Sequence, residues 1–377
     1  MSDAAPMHTP FDEALSQLIS QIDVAAYNTT RNHLSGAVTR LSPYITHGYA
    51  SLPEVVSRIK AHTPLTPNDK LYFEFAWREF YQHVWHHVGE GVLQDLRPAL
   101  PGIHYAPALP EDIRTGATGL AVIDQAVRTL YATGYLHNHA RMWLASYLIH
   151  FRKVHWRAGA DWLYGHLLDG DLASNHLSWQ WVAGTFSVKP YLFNADNVAK
   201  FAPPEWHVGG SALDDSYEAL ERIARSQRVM EPAGGEPIEA PPLMAAPEGL
   251  AIDTLRASGD VALIHPWALA STPRAMPRVG VIHAPFHAQF KWSARRWAFV
   301  LTRMSQLCDT VVTGDLASLP ALKAHTLATL NPGYQEALAK YSPQDPPRLI
   351  AWPDKMSRSF SQFWQSRGEN NPALWQG

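Results

Sequence analysis

Residues 231–249, EPAGGEPIEAPPLMAAPEG, are rich in Pro, Gly and Glu and contain no aromatic residue. This composition is typical of a semi-extended linker, because Pro stiffens the backbone and Gly interrupts regular structure. The chain has 377 residues, which is enough for two hydrophobic cores. The sequence therefore predicts a domain at 1–230, the linker 231–249 and a second domain at 250–377.

The part before the linker has hydrophobic residues at helical spacing and few alternating runs. Segment 120–134 keeps that spacing and stops at Gly134, a C-cap signal, and a second helical segment follows at 136–153. Segment 51–59 begins with Ser51 and Glu54 at the spacing of a capping box. We therefore predict a mainly α-helical domain over 1–230.

The part after the linker contains short β-branched runs, which predict strands. They lie at 261–265, 279–283, 310–314 and 348–352, and a helical pattern occupies 293–307. Strands that alternate with helices favour a small parallel α/β domain. Neither GxGxxG nor GxxxxGK[ST] occurs there, so no dinucleotide or P-loop site is predicted.

Composition narrows the class of protein. The net charge of −3 gives no strong general attraction for nucleic acid. The single cysteine, Cys308, excludes an intramolecular disulfide framework and fits a reducing compartment. No secretory signal and no apolar stretch of about 20 residues is visible, so we expect a soluble, cytoplasmic protein.

Segment 39–48, TRLSPYITHG, places the hydroxyls of Thr39 and Ser42 and the charge of Arg40 just before a turn at Pro43. Hydroxyls and backbone N–H groups at a helix entrance suit a phosphate group. A simple helix cap explains the same residues, because Ser and Thr are common before Pro turns.

Segment 73–81, FEFAWREFY, places Glu74, Trp77 and Tyr81 on one face of a helix. A carboxylate one turn from an indole can hold a flat heterocycle by stacking and a hydrogen bond. Packing of Trp77 in a core, with Glu74 in water or paired with Arg78, is an equally good interpretation.

Segment 137–142, HNHARM, places Asn138, Arg141 and Met142 on one helix face. This mixed polar and soft apolar patch suits a ligand, although an ordinary amphipathic surface explains it equally well. We interpret His137 and His139 as core or solvated residues, because no carboxylate or Cys lies beside them at metal-ligand spacing.

Segment 169–181, DGDLASNHLSWQW, combines two carboxylates with an amide and indoles. Asp169 and Asp171 belong to a turn signal, and Asn175 and Trp179 belong to the helix that follows. A buried carboxylate needs a partner, because an unpaired one costs several kcal/mol. Arg141 is the candidate partner.

In this order, the four segments resemble the flavin domain of DNA photolyases and cryptochromes, and the resemblance runs from about Tyr27 to Trp206. It implies FAD as the cofactor, with Asp171 at the polar edge of the flavin and Asn175 at flavin N5, where an amide steadies a reduced flavin. The implied FAD-binding residues are Tyr27, Thr39, Arg40, Leu41, Ser42, Arg141, Asp169, Asp171 and Asn175.

The resemblance also implies an electron relay and a substrate. Trp179 would lie next to the flavin and Trp156 would be the next indole outward, with Tyr105 or His104 in place of the family's third Trp. Glu74, Trp77, Asn138 and Met142 match the residues that grip a flipped cyclobutane pyrimidine dimer.

The implied function is light-driven repair of UV-damaged DNA by reduced FAD. A cryptochrome-like photoreceptor is the alternative, and a flavoprotein without light function is a third. The charge of residues 1–230, with 18 Lys and Arg against 22 Asp and Glu, argues mildly against DNA binding. The intact dimer-gripping set argues for repair, since a sensor has no need of it.

The α/β part departs from the family order. Its stretch from about 278 to 315 resembles the middle of the family's antenna domain, which normally precedes the flavin domain. The resemblance therefore implies a reordered chain with an antenna-like domain at 250–377, while the identity of a second chromophore stays open.

Overall fold

The structure is a computed structural model that describes residues 10–252, 255, 259–271 and 275–370. The backbone forms two compact units. The first unit comprises Met1–Ala25, Val38–Gly89 and Leu243–Gly377, and the second comprises Ala26–Ala37 and Glu90–Pro242. Both units include residues that precede the linker, and the domain boundaries at 230 and 250 stay a prediction.

The region before the linker is helical, as the sequence predicts, and residues 10–242 contain no strand beyond one isolated bridge between Ala106 and Val154. Its α-helices are α1 (Pro10–Ser20), α2 (Val24–Thr30), α3 (Ser42–Thr46), α4 (Leu52–Lys60), α5 (Lys70–Val88), α6 (Glu111–Arg114), α7 (Ala121–Thr133), α8 (Asn138–Ser146), α9 (Trp156–His166), α10 (Leu172–Ala183), α11 (Ala195–Phe201) and α12 (Tyr217–Ala224).

The predicted helix signals are confirmed. Gly134 ends α7 in the left-handed conformation at φ 69°, where a residue without Cβ is favoured. The hydroxyl of Ser51 accepts a hydrogen bond from the Glu54 N–H at the start of α4. The predicted helix over 136–153 forms α8 and continues as a π-helical turn over Tyr147–Phe151.

The core of the second unit is built by α7, α8, α9 and α10, in which α7 contacts α8 and α10 contacts both α8 and α9. Large rings fill it, including the fully buried Trp143, Phe151 and Phe193. Lys153 is buried as well, and its Nζ donates hydrogen bonds to the carbonyls of Ile223 and Ala224, the last residues of α12, at 2.9 Å each. This packing fixes α8, α9 and α10 relative to each other.

The region after residue 242 forms the predicted parallel α/β structure. Five strands lie in the order β2, β6, β4, β3, β7, and every neighbouring pair is parallel. They are β2 (Leu250–Ala251), β3 (Asp260–Ile264), β4 (Arg278–His283), β6 (Thr310–Gly314) and β7 (Lys323–His325), while β1 (Leu243–Met244) and β5 (Trp292–Ser293) form a separate antiparallel pair. The helices are α13 (Ala284–Gln289), α14 (Ala294–Leu307), α15 (Tyr334–Leu338) and α16 (Phe360–Asn370).

Three of the four predicted strands and the predicted helix at 293–307 are confirmed by β3, β4, β6 and α14. The prediction of a strand at 348–352 was wrong. The reason is the buried carboxylate of Glu79, which accepts hydrogen bonds from Leu349 N at 2.9 Å and from Trp352 Nε1 at 2.8 Å. The segment is thus held by α5 and not by a strand ladder.

Helix α1 is held in the first unit by a buried ion pair. Arg303 of α14 is fully buried, and its Nη2 lies 2.9 Å from Asp12 Oδ1 and its Nη1 3.1 Å from Asp12 Oδ2. The same guanidinium donates to the carbonyl of Leu269 at 3.1 Å and to the hydroxyl of Ser271 at 2.9 Å. None of the helices in the described part of the chain combines the length and hydrophobicity needed to cross a membrane.

We predict that Arg303→Met lowers the free energy of unfolding by about 3 kcal/mol, because it leaves the Asp12 carboxylate without the guanidinium that it contacts. Denaturant unfolding measures this change. Arg295→Met on the same helix is the control, since Arg295 is exposed, and we expect a change below about 0.5 kcal/mol. Equal losses in the two variants would show that the ion pair adds nothing.

Candidate functional site

An ion pair links α8 to the turn before α10. Arg141 Nη2 lies 3.0 Å from Oδ1 and 2.9 Å from Oδ2 of Asp169, whose side chain is 5% exposed. Arg141 Nε also donates to the carbonyl of Leu136 at 2.7 Å. This is the partner that the sequence suggested for the carboxylate; its place beside a flavin stays a prediction.

Asp171 begins α10 as its N-cap. Its buried Oδ1 accepts a hydrogen bond from Ser174 N at 2.9 Å, which satisfies one free N–H at the helix start. The Oγ of Ser174 is buried and has no hydrogen-bond partner among the described residues. The turn that holds Asp171 therefore also carries an unsatisfied hydroxyl, which a bound polar group would satisfy.

Asn175 lies one turn further along α10 and is buried. Its Nδ2 donates a hydrogen bond to the carbonyl of Ala160 on α9 at 2.8 Å. Within the described part of the chain no donor hydrogen-bonds its Oδ1. The amide oxygen is therefore the atom that Asn175 has left for a ligand.

Trp179 is buried between α9 and α10. A Cβ atom added to Gly159 of α9 would lie only 2.4 Å from the ring atoms Cη2 and Cζ3 of Trp179. The indole therefore rests directly on the backbone of α9, at a position where no side chain fits.

Trp156 begins α9 and is also buried. Its Nε1 donates a hydrogen bond to Asp95 Oδ1 at 2.6 Å. Both residues line a small pocket with Tyr105 and His155, and the ring centres of Tyr105 and His155 are 6.3 Å apart. Burial, and then the charge of Asp95, raise the pKa of Tyr105 to about 12, so its phenol keeps its proton at neutral pH.

The predicted patch on α8 is present. Asn138 is exposed at the first position of the helix, and its Nδ2 lies 3.8 Å from Met142 Sδ. The two neighbouring histidines have structural roles: His137 caps α8 by accepting from His139 N at 3.1 Å, and the ring of His139 stacks on Trp143 at 4.8 Å.

Segment 39–42 lies in the first unit and leads into α3. Thr39 Oγ1 accepts from Leu41 N at 3.4 Å, and the N-terminus of α3 has no side-chain cap. Arg40 is exposed and has φ 53°, a conformation that is uncommon for a residue other than Gly. The hydroxyl of Ser42 makes no hydrogen bond to any described residue, so it stays available for the predicted phosphate.

Tyr27 lies on α2, in the second unit.

On α5, Glu74 is exposed and Trp77 is half-buried. The indole of Trp77 stacks on the ring of Phe360 from α16, with centres 4.1 Å apart and an interplanar angle of 8°. The ring centre of Tyr81, one turn further along α5, lies 5.5 Å from that of the same indole. One face of the ring that was predicted to stack on a substrate thus packs against the chain's own helix.

Sequence reasoning missed Asp95 and Phe360. Neither lies at a fixed spacing from the tryptophan that it contacts, and both contacts join segments that are far apart in the sequence. An acidic residue and an aromatic residue in such places carry no local signal, so only the fold could find them.

Comparison with known proteins identifies the family that part of this chain resembles. Residues 71–204 match the family model described as the FAD binding domain of DNA photolyase. The match confirms the resemblance found in the sequence, and it confirms FAD as the cofactor of this domain type.

Individual proteins with a similar sequence include photolyases and a cryptochrome. A deoxyribodipyrimidine photo-lyase of Streptomyces griseus is 36% identical over 209 residues, which cover 52% of this chain and 46% of that protein. A cryptochrome DASH of Ostreococcus tauri is 33% identical over 191 residues, covering 48% of this chain and 35% of that protein. The chain thus spans less than half the length of these relatives. A solved cryptochrome structure from Synechocystis sp. PCC6803 is 24% identical, with a TM-score of 0.46 over 50% of this chain and 42% of that one.

The residues of the second unit fit a flavin chemically. A flavin's polar edge carries both donors and acceptors, and the site offers the guanidinium of Arg141, the carboxylate of Asp171 and the amide oxygen of Asn175. The buried hydroxyl of Ser174, which has no partner in the described part of the chain, adds a donor at the same helix start.

We predict that Gly159→Ala lowers the free energy of unfolding by about 2 kcal/mol, because the new methyl group overlaps the Trp179 ring. Ala favours a helix over Gly by up to about 1 kcal/mol, so a loss shows that the overlap outweighs helix propensity. Thermal or denaturant unfolding measures it. Gly209→Ala is the control, since the nearest atom to its added Cβ is 4.0 Å away. A stabilised Gly159→Ala variant would contradict the packing.

Proposed function

We propose that this protein is a light-dependent FAD enzyme that splits cyclobutane pyrimidine dimers in UV-damaged DNA. The observation that carries the proposal is the match of residues 71–204 to the FAD binding domain of DNA photolyase. That range contains Glu74, Trp77, Asn138 and Met142, the residues that resemble the dimer-gripping set. The relatives named as deoxyribodipyrimidine photo-lyases support it further.

The proposed cofactor contacts follow from the site. When bound, reduced FAD supplies the electron that opens the dimer after absorption of blue light and receives it back afterwards. Asp171 holds the polar edge of the ring, Asn175 faces flavin N5, and the Arg141–Asp169 pair lies beside the ring. The hydroxyls of Thr39 and Ser42, with Tyr27, Arg40 and Leu41, hold the rest of the cofactor.

The proposed substrate contacts use side chains that are partly accessible. Glu74, which is exposed, accepts hydrogen bonds from the flipped bases, and Trp77 packs against them. Asn138 and Met142, on α8 of the second unit, add a polar and a polarisable group that lie 3.8 Å apart. A damaged pair costs less to extrude from the duplex than an intact one, which favours the lesion.

The proposed relay restores the reduced state from the oxidised one. Trp179 donates an electron to the cofactor and Trp156 refills Trp179, since indole is among the most easily oxidised side chains. Tyr105, in the same small pocket as Trp156, is the proposed terminal donor.

The deciding experiment mixes the full chain, FAD, a reductant and a dimer-containing oligonucleotide under blue light. We expect light-dependent loss of the dimer, and its absence would contradict the repair function.

Glu74→Ala should lower the repair yield about tenfold with unchanged FAD content, because a hydrogen bond to a charged group is worth about 1.5–3 kcal/mol. Glu90→Ala, which changes another exposed carboxylate, should repair normally.

We predict that Trp179→Phe nearly abolishes light-driven reduction of oxidised FAD, because phenylalanine is much harder to oxidise than indole. Repair that starts from chemically reduced FAD should persist, since that electron does not pass through the relay. Absorbance during illumination measures the first result, and dimer loss measures the second. Trp181→Phe on the same helix is the control and should photoreduce normally; normal photoreduction in Trp179→Phe would remove that residue from the relay.

A second function, a cryptochrome-like photoreceptor, is favoured by one specific observation. Phe360 covers a face of Trp77, the ring that a repair enzyme needs for its substrate. A relative named as a cryptochrome DASH is consistent with it. Photoreduction in the wild type without any light-dependent loss of dimer would favour the photoreceptor over the repair enzyme.

A further inference from the structure

The amide of Asn175 is held by two groups of the protein. Its Nδ2 donates to the carbonyl of Ala160 at 2.8 Å and lies 3.5 Å from Nδ1 of His176. A carbonyl oxygen only accepts hydrogen bonds, so the amide must turn its NH₂ group toward Ala160. The orientation of Asn175 is thereby fixed, and its second hydrogen is directed to His176.

His176 can accept that hydrogen only in one tautomer. Its ring is fully buried, and Nε2 lies 2.9 Å from Oδ1 of Asp161. A carboxylate accepts and does not donate, so the proton of the neutral ring is on Nε2 and the lone pair is on Nδ1. Burial lowers the pKa of His176, which keeps the ring neutral although Asp161 and the Leu172 carbonyl favour the charged form.

Asp161 is in turn fixed by Arg157. The guanidinium Nε lies 2.7 Å and 2.8 Å from the two carboxylate oxygens, and Nη1 donates to the carbonyl of Leu93 at 2.9 Å. Burial raises the pKa of Asp161, but the hydrogen bonds from His176 and Arg157 and the charge of Arg157 outweigh it and hold that pKa below its ordinary value. Asp161 is therefore a carboxylate at neutral pH.

We propose that Asp161 and His176 are positioning residues that hold the Asn175 amide so that its oxygen, a pure acceptor, is offered to the cofactor. Such a site favours reduced flavin, which carries a hydrogen on N5, over oxidised flavin, which has only a lone pair there. The inference rests on the proposed FAD function and adds the reason why the site stabilises one redox state.

The first test needs no cofactor. Ring ¹⁵N NMR of the FAD-free full chain reports which nitrogen of His176 carries the proton, and we expect Nε2. In Asp161→Leu no acceptor from position 161 faces Nε2, whereas in the wild type Oδ1 lies close to both Arg157 and His176, so the preference for a proton on Nε2 should be lost. A wild-type proton on Nδ1 overturns the proposal, even if the variant fails to fold.

The second test is a redox titration of the FAD-loaded protein. Loss of one oriented hydrogen bond, worth about 1.4 kcal/mol, should reduce the preference for reduced FAD about tenfold. For a two-electron couple this is a midpoint potential about 30 mV more negative in Asp161→Leu. Asp112→Leu, which breaks the Arg152 ion pair of the same unit, is the matched control and should leave the potential unchanged.

The two tests separate the two levels of inference. An unchanged potential in Asp161→Leu, or an equal shift in Asp112→Leu, overturns the positioning role while FAD binding stands. A full chain that takes up no FAD overturns the proposed function, and the NMR measurement still decides whether Asp161 fixes the His176 tautomer.

Discussion

The contact between α9 and α10 is the interaction on which the rest of the second unit depends. It combines a shape, the bare backbone at Gly159 under the Trp179 ring, with a hydrogen bond from Asn175 to Ala160. Together they fix both the distance and the register of the two helices. Trp156, at the start of α9, and Asp171, at the start of α10, take their positions from the same contact.

The elements that the sequence predicts well are those with local causes. The cap at Gly134, the N-cap at Ser51 and the periodic helix 293–307 depend on residues within a few positions of one another, and each is present. The motif residues of the candidate site were also visible in the sequence, because each segment keeps its own spacing. Their assignment to a cofactor required the family resemblance, which the match of residues 71–204 confirms.

The parts that sequence reasoning missed have causes that are remote along the chain. Segment 348–352 has the composition of a strand. Glu79 of α5 accepts hydrogen bonds from the backbone N–H of Leu349 and the indole N–H of Trp352, and no residue near that segment indicates this. The stacking of Phe360 on Trp77 is similar, since a hydrophobic ring in a C-terminal helix predicts burial without naming its partner. His176 lies inside segment 169–181, but its proposed role depends on Asp161 of the preceding helix.

The missing side chain at Gly159 has a consequence for kinetics. Gly159 follows Trp156 by three residues on α9 and therefore shares its helix face, so the ring of Trp179 rests on the surface from which Trp156 projects. Electrons pass between separate rings by tunnelling, and the rate of tunnelling falls exponentially with the gap that separates them. A single methyl group at this position would widen the gap between the helices. In the proposed relay, the time that an electron needs to pass between Trp156 and Trp179 therefore depends on the absence of a side chain at position 159.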